Sequence, residues 1–238
     1  MKQLEELVLS DNFISDLSPL ANLPKLKNLF VNWNRIKDLK SLEPLFSKNQ
    51  LESVGISFNQ ITDYSFLENK ECSFDGFLTN DQFAHLITVA KGMITDLIKQ
   101  GMTDREKYKA LAVGLCRKAT YGEVGGEFDF MAYGALINGK AVCQGYAEAY
   151  MMLCSLAGLQ CYRAAGMAGD WSHLWNIVKL DGKYYHVDVT WMDTDDPEHV
   201  SEYYFLKSDF FFKGHDHTDF VIAPDLICDD YTWDFELE

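Results

Sequence analysis

No run of apolar residues in this 238-residue chain approaches the roughly 20 that a membrane-spanning helix requires, so membrane insertion is not expected. The opening MKQLEELVLS holds no extended apolar segment of the kind a secretory signal carries. The compartment is therefore unknown, with a secreted or cell-surface location open to a fragment of a longer protein. Proline is scarce, at five residues, while hydrophobic residues make up 47%, so the chain can build a substantial core. Positive charge is short as well: 21 Lys and Arg stand against 36 Asp and Glu, for a formal net charge of -15. Phosphate backbones and anionic lipid surfaces would be repelled, which argues against nucleic acid as a partner. The six cysteines, at 72, 116, 143, 154, 161 and 228, include no C-x-x-C pair, and a chain of this length needs no disulfide staples. Most are expected to be free thiols.

What is present begins with a repeat. Leu4, Leu7, Leu9, Asn12, Ile14 and Leu17 recur 22 residues later as Leu26, Leu29, Val31, Asn34, Ile36 and Leu39. A third copy, Leu51, Val54, Ile56, Asn59, Ile61 and Tyr64, is displaced to 25 residues by extra sequence near 47–50. The pattern resembles the leucine-rich repeat, L-x-x-L-x-L-x-x-N-x-I, in the 22-residue form of bacterial internalin-like proteins. Alternating apolar residues make a short strand in each copy, and the Asn side chain can bond the backbone where the chain turns away. The first copy has no capping segment before it, which fits an artificial start, a missing upstream part or an abrupt natural one. Phe30, Asn32, Trp33, Ser57 and Phe58 fall near the concave face such a solenoid presents, so the repeats either bind a protein partner or only buttress the rest of the chain.

After Lys70 the periodicity becomes helical, which places a boundary between repeats at 1–70 and a second domain at 71–238. Phe83, Leu86, Ile87, Ala90, Ile94, Leu97 and Ile98 mark one amphipathic helix ended by Gly101. Thr103 with Glu106 forms a capping box for a second, running to about Ala119. A third, from Cys143 to Ala157, is apolar at nearly every position and stops at Gly158.

Cys143 sits at the first turn of that third helix. Exposed amides and the positive end of the helix dipole favour thiolate there. Ala141 and Val142 offer no side-chain oxygen as a cap, so the unpaired amides are free to bind an oxyanion. Cys154 and the other four cysteines read as small buried hydrophobes. Downstream, Asp181-Gly182 is a two-residue hairpin signal between apolar strands. Pairing Leu180 with Lys183 sets His173 opposite Thr190 and Trp175 opposite Asp188. His173 and Asp188 then become diagonal neighbours on one face, close enough to hydrogen-bond. Leu174, Val178, Leu180, Tyr185, Val187, Val189 and Trp191 make the opposite, core-facing side.

Taken together, G-K-A-V-C-Q-G-Y-A at the cysteine, H-L-W-N-I-V at the histidine and D-G-K-Y-Y-H-V-D-V-T-W at the aspartate resemble the transglutaminase-like superfamily, in its branch of bacterial cysteine peptidases. The likeness covers 105–225, and E-Y-Y-F-L-K-S-D with G-H-D-H after it resembles the closing segment of such domains. It implies an α+β, papain-like fold with a nucleophile helix packed on an antiparallel sheet, behind a short leucine-rich-repeat solenoid. It also implies Cys143 as nucleophile, His173 as base and Asp188 as its orienting acid, with Tyr121 as a further oxyanion donor.

The expected reaction is acyl transfer on a protein or peptide through a thioester. Hydrolysis as a peptidase or deamidase leads; protein crosslinking is the alternative, and an inactive binding scaffold is the alternative of another class. Trp171 and Trp175, with Trp191, are candidates to wall the substrate cleft. D-T-D-D-P-E-H at 193–199 has the composition of a calcium loop without the spacing, and reads as a solvated acidic loop. His215, Asp216, His217 and Asp219 lack a second ligand pair at zinc spacing. No metal or cofactor is expected.

Overall fold

Alternation of apolar residues in the repeats produces three-residue strands: β1 (Glu6–Val8), β2 (Asn28–Phe30) and, after the short helix α1 (Glu43–Phe46), β3 (Ser53–Gly55). They pair in parallel, Leu7 beside Leu29 and Leu29 beside Val54, so the sequence offsets of the repeats are the registers of the ladder. Leu26, Leu29, Val31, Ile36, Val54, Ile56 and Ile61 are all 2% exposed or less. Burying each such side chain contributes about 1.5–3 kcal/mol.

The repeat asparagines bond backbone, as their position suggests. Asn34 Nδ2 donates to the carbonyls of Leu9 and Val31 at 2.9 and 3.0 Å, and its Oδ1 accepts from Ile14 at 2.9 Å. Asn59 repeats this one turn on, donating to Val31 and Ile56 and accepting from Ile36. The residue before each repeat asparagine, Asp11, Trp33 and Phe58, takes a positive φ of 53–60°, which sharpens the turn out of the strand at some cost in strain. Phe58 is buried at 4% exposure, so it does not belong to a presented face; Phe30, Asn32, Trp33 and Ser57 are half-buried.

A fourth strand, β4 (Ser73–Phe74), extends the ladder beyond the three copies legible in the sequence. It escaped the pattern because Thr79 stands five residues after Phe74, where Asn34 and Asn59 follow Leu29 and Val54, and the acidic residue next to the strand is Asp75. Its carboxylate accepts from the amides of Ile56 and Ser57 at 2.8 and 3.0 Å. Phe83 stacks on Phe74 with ring centroids 4.2 Å apart.

The structure, a computed structural model, describes residues 3–48, 50–67, 70–194, 196 and 198–235. It divides into two units, Met1–Thr88 and Val89–Glu238, and α2 (Asn80–Leu97) crosses the division. In the second unit, α3 (Asp104–Lys118) opens on the expected capping box between Thr103 and Glu106. β5 (Thr120–Tyr121) pairs in parallel with β6 (Lys140–Ala141), and α4 (Cys143–Leu156) follows directly. Gly158, with φ at +77°, supplies the left-handed residue just past the α4 C-terminus.

Then come β7 (Cys161–Ala168), β8 (Trp171–Leu180), β9 (Lys183–Val187), α5 (Val189–Met192), β10 (Phe205–Lys207), α6 (Asp209–Gly214) and β11 (His217–Val221). The strands form one antiparallel sheet ordered β10-β9-β8-β7-β11. α4 packs on β7 and β8, and Asn176 Nδ2 donates to the Ala147 carbonyl at 3.0 Å across that contact. The opposite face of the sheet is closed by Trp175, Ile177, Phe211, Phe212, Leu226 and Cys228. This is the α+β arrangement the sequence implies, a helix carrying Cys143 laid on an antiparallel sheet.

Two expectations change. The hairpin pairs as expected from Leu180↔Lys183 to Asn176↔Val187, with Asp181 and Gly182 both at positive φ as a primed turn demands. There the pairing stops: 189–192 are helical, so Val189 and Trp191 are not residues of a strand face, and Asp188 has no strand partner. The face bearing His173 and Trp175 is buried, because α6 and the segment around Leu226 cover it. Among the described residues, no helix is long and apolar enough to cross a membrane.

Candidate active site

Of the six cysteines, all free, only Cys143 is not buried. It is the first residue of α4, and Val142 before it provides no side-chain cap, as its aliphatic character dictates. Gly145, near the start of the same helix, lies where a Cβ would come within 2.7 Å of Ala141 Cβ, 2.8 Å of the Asp129 carbonyl oxygen and 2.9 Å of that of Met131. A glycine at 145 lets the start of α4 nest against the chain that precedes it.

His173 projects from β8 and is 7% exposed. Its Nε2 lies 2.7 Å from Asp188 Oδ2, and Cys143 is near enough to the ring to help raise its pKa. Trp175 stacks against the imidazole with ring centroids 5.9 Å apart, and Trp191 lies 6.0 Å away, so the ring is held on two sides. Asp188 is fully buried and caps α5, its Oδ1 accepting from the amides of Thr190 and Trp191 at 3.0 and 3.2 Å. His173 and Asp188 thus meet, but through a helix cap and not as diagonal neighbours in a ladder. An aspartate just ahead of V-T-W-M is itself an N-cap signal, which the strand period masked.

Burial works against charge on His173. The negative charge and hydrogen bond of Asp188, followed by those of Cys143, overcome it and lift its pKa to about 10. Burial likewise opposes ionisation of Asp188, yet His173 and then His217 pull it down to about 2. At neutral pH the pair is an imidazolium against a carboxylate.

A residue outside the expected set completes the environment of Asp188. His217, at the start of β11 and fully buried, places Nε2 3.0 Å from the same Oδ2 that receives His173. The sequence showed it only as a weak zinc candidate in G-H-D-H, because nothing local signals that β11 brings it beside Asp188. A second group, buried His186 and Cys228 with half-buried Asp209, is joined to the first through Trp175. There Trp175 Nε1 donates to His186 Nδ1 at 2.8 Å, so Nε2 carries the proton given to Asp209 Oδ1 at 2.7 Å. In each group the three possible ligand atoms lie within 4.8 Å of one another, with a histidine nitrogen 2.7 Å from a carboxylate oxygen.

The remaining candidates divide. Tyr121 pairs with Ala141, half-exposed; burial raises its hydroxyl pKa first, and the nearby charge of Cys143 adds to that. Trp171 is 80% exposed at the outer end of β8. Trp175 is 1% exposed and forms the floor under His173, a packing position and not the cleft wall the pattern suggested. In the acidic stretch 193–199, Asp195 and Pro197 lie outside the described residues, while Asp193 accepts a 2.5 Å hydrogen bond from the Tyr146 hydroxyl.

Residues 91–189 match the transglutaminase-like superfamily, and residues 2–44 match leucine-rich repeats in two copies. The kyphoscoliosis peptidases of Homo sapiens and Mus musculus are each 28% identical over 172 residues, which are 64% of this chain and 26% of theirs. The chain therefore spans about a quarter of the length of these curated relatives. A solved TGase structure aligns over 50% of this chain and 35% of its own, with 18% identity and a TM-score of 0.42. Residues 91–189 are thus similar to the transglutaminase-like superfamily, and residues 2–44 to leucine-rich repeats.

Proposed function

We propose that the chain is a thiol-dependent acyl-transfer enzyme acting on protein or peptide carbonyls, with Cys143 as nucleophile, His173 as acid and base, and Asp188 as the group that orients His173. One observation carries the reading. The single cysteine that is not buried stands at an uncapped helix start, near a histidine whose Nε2 is held by a buried carboxylate. An imidazolium is the counter-charge that stabilises a thiolate, and a His173 lifted to about 10 supplies one at neutral pH.

In the proposed reaction the sulfur adds to the carbonyl carbon, and the π pair moves onto oxygen. That oxyanion faces first-turn amides of α4, which have no intrahelical acceptor, with the Tyr121 hydroxyl as a second donor. When the pair returns, the C–N bond breaks and His173 gives its proton to the departing nitrogen. A thioester remains. Neutral His173 then takes a proton from water, giving hydrolysis, or from an amine, giving an isopeptide.

Hydrolysis is the favoured branch because the matched curated relatives carry the name peptidase. Exposed Trp171 is proposed to contact substrate, and the half-buried Phe30, Asn32, Trp33 and Ser57 of the repeats to meet a protein partner.

Mass spectrometry of glutamine-containing peptides, incubated with the full chain in the presence and absence of a primary amine, tests the reading. Cleavage or conversion of glutamine to glutamate is expected, falling at least about a thousandfold in Cys143→Ala. Undiminished turnover in that variant would falsify the assignment. An amine adduct as the main product would move the reading to crosslinking.

A further inference from the structure

We propose that His217 is a positioning residue of this site, an imidazolium that shares Asp188 with His173 and completes a neutral row of four alternating charges. The inference rests on the reading of Cys143 as a thiolate nucleophile.

Donors and acceptors fix the protonation of His217. An ionised carboxylate only accepts, and it has about four positions at which to do so. Asp188 fills all four, with the Thr190 and Trp191 amides on Oδ1 and the two imidazole Nε2 atoms on Oδ2. His217 must therefore donate through Nε2. Its Nδ1 lies 3.0 Å from the His215 carbonyl oxygen, which also only accepts. A ring that donates at both nitrogens is protonated at both. The lowered pKa of Asp188, to which His173 and then His217 contribute against burial, keeps it the ionised acceptor this count requires.

Charge balance gives the arrangement its use. A thiolate, an imidazolium and a carboxylate alone would leave one net negative charge in a site where His173, Asp188 and His217 are 7% exposed or less. Uncompensated buried charge is costly. A cation on His217 cancels it and makes the thiolate easier to hold.

Among the described residues, titratable groups face His217 from several elements. They are Asp188 at the start of α5, His173 on β8, His186 on β9, Tyr204 ahead of β10, and His215 and Asp216 beside it in the chain. His186 is the neutral tautomer fixed by Trp175 and Asp209, and Tyr204 is held uncharged by burial. Trp175, Trp191 and Phe212 fill the remaining sides with rings 5.1, 4.7 and 4.4 Å away. No other cation in this set can replace His217 beside Asp188.

Two measurements on the full chain test this. Histidine-selective nitrogen-15 NMR of the unmodified protein at neutral pH should show His217 with both ring nitrogens protonated; a neutral tautomer overturns the proposal. Peptide-level mass spectrometry of iodoacetamide alkylation at Cys143, followed across pH, should show the midpoint rising by about one unit in His217→Gln, which keeps a donor toward Asp188 but loses the charge. A His217→Gln profile lying on that of the parent overturns the charge role. Should the parent itself show no preferential alkylation of Cys143 below pH 7, the thiolate reading fails, while the NMR signals still decide the state of His217.

Discussion

Asp188 concentrates more of the site into one side chain than any other residue, since it caps α5, holds His173 and receives His217. Its pKa falls from 3.8 to about 2, so it adds stability above pH 4 that is lost as pH drops through about 2. His173 rises from 6.5 to about 10, so it adds stability below 6.5 that is lost as pH climbs through about 10. The pair therefore contributes fully between about pH 4 and 6.5 and fades toward 10. Thermal melting should show the stability advantage of the parent over Asp188→Asn shrinking steadily from pH 6.5 to 10; a constant gap would contradict the ion pair. The sequence exposed Cys143 and His173 because each lies in a recognisable local pattern. It exposed the carboxylate but not its helix-capping geometry, and it left His217 unassigned, because that role arises only from a contact 29 residues away in the chain.

At the scale of elements, the start of α4 is set by close approach. Gly145 faces two backbone oxygens that cannot swing aside, and an added methyl group would have to push the helix away from the chain at 129–131. Gly145→Ala should cost about 1–3 kcal/mol in denaturant unfolding and slow Cys143 alkylation at the same time, since the displaced turn is the one that carries the sulfur. Equal stability and equal reactivity would show that the contact yields more easily than the geometry indicates. The β8–β9 hairpin was legible down to its register because Asp181-Gly182 dictates a primed turn. The switch to α5 was not, because apolar residues at alternate positions fit a strand as well as one helical turn does, and four residues are too few to tell the two periods apart. The same ambiguity of short signals hid β4, a two-residue strand whose copy carries Thr79 in place of the repeat asparagine.

For the whole molecule, the formal charge of -15 governs what approaches it. Electrophoresis of a labelled DNA duplex at roughly 0.1 M salt should show no retardation by the chain; a salt-sensitive shift would reveal a local basic surface that the net charge conceals. Composition, repeat period, the hairpin and the three motif blocks could be read directly, since each depends on residues within about one element of each other. They establish the α+β class, the leucine-rich ladder and the identity of the reactive candidates. Which face of β8 is buried, how Asp188 is aimed, that Trp175 is a floor and that His217 joins the carboxylate were decided by the tertiary structure alone. Those features depend on strands and caps brought together across long stretches of chain, and the free energy that selects them is shared among many contacts that leave no local trace in the order of residues.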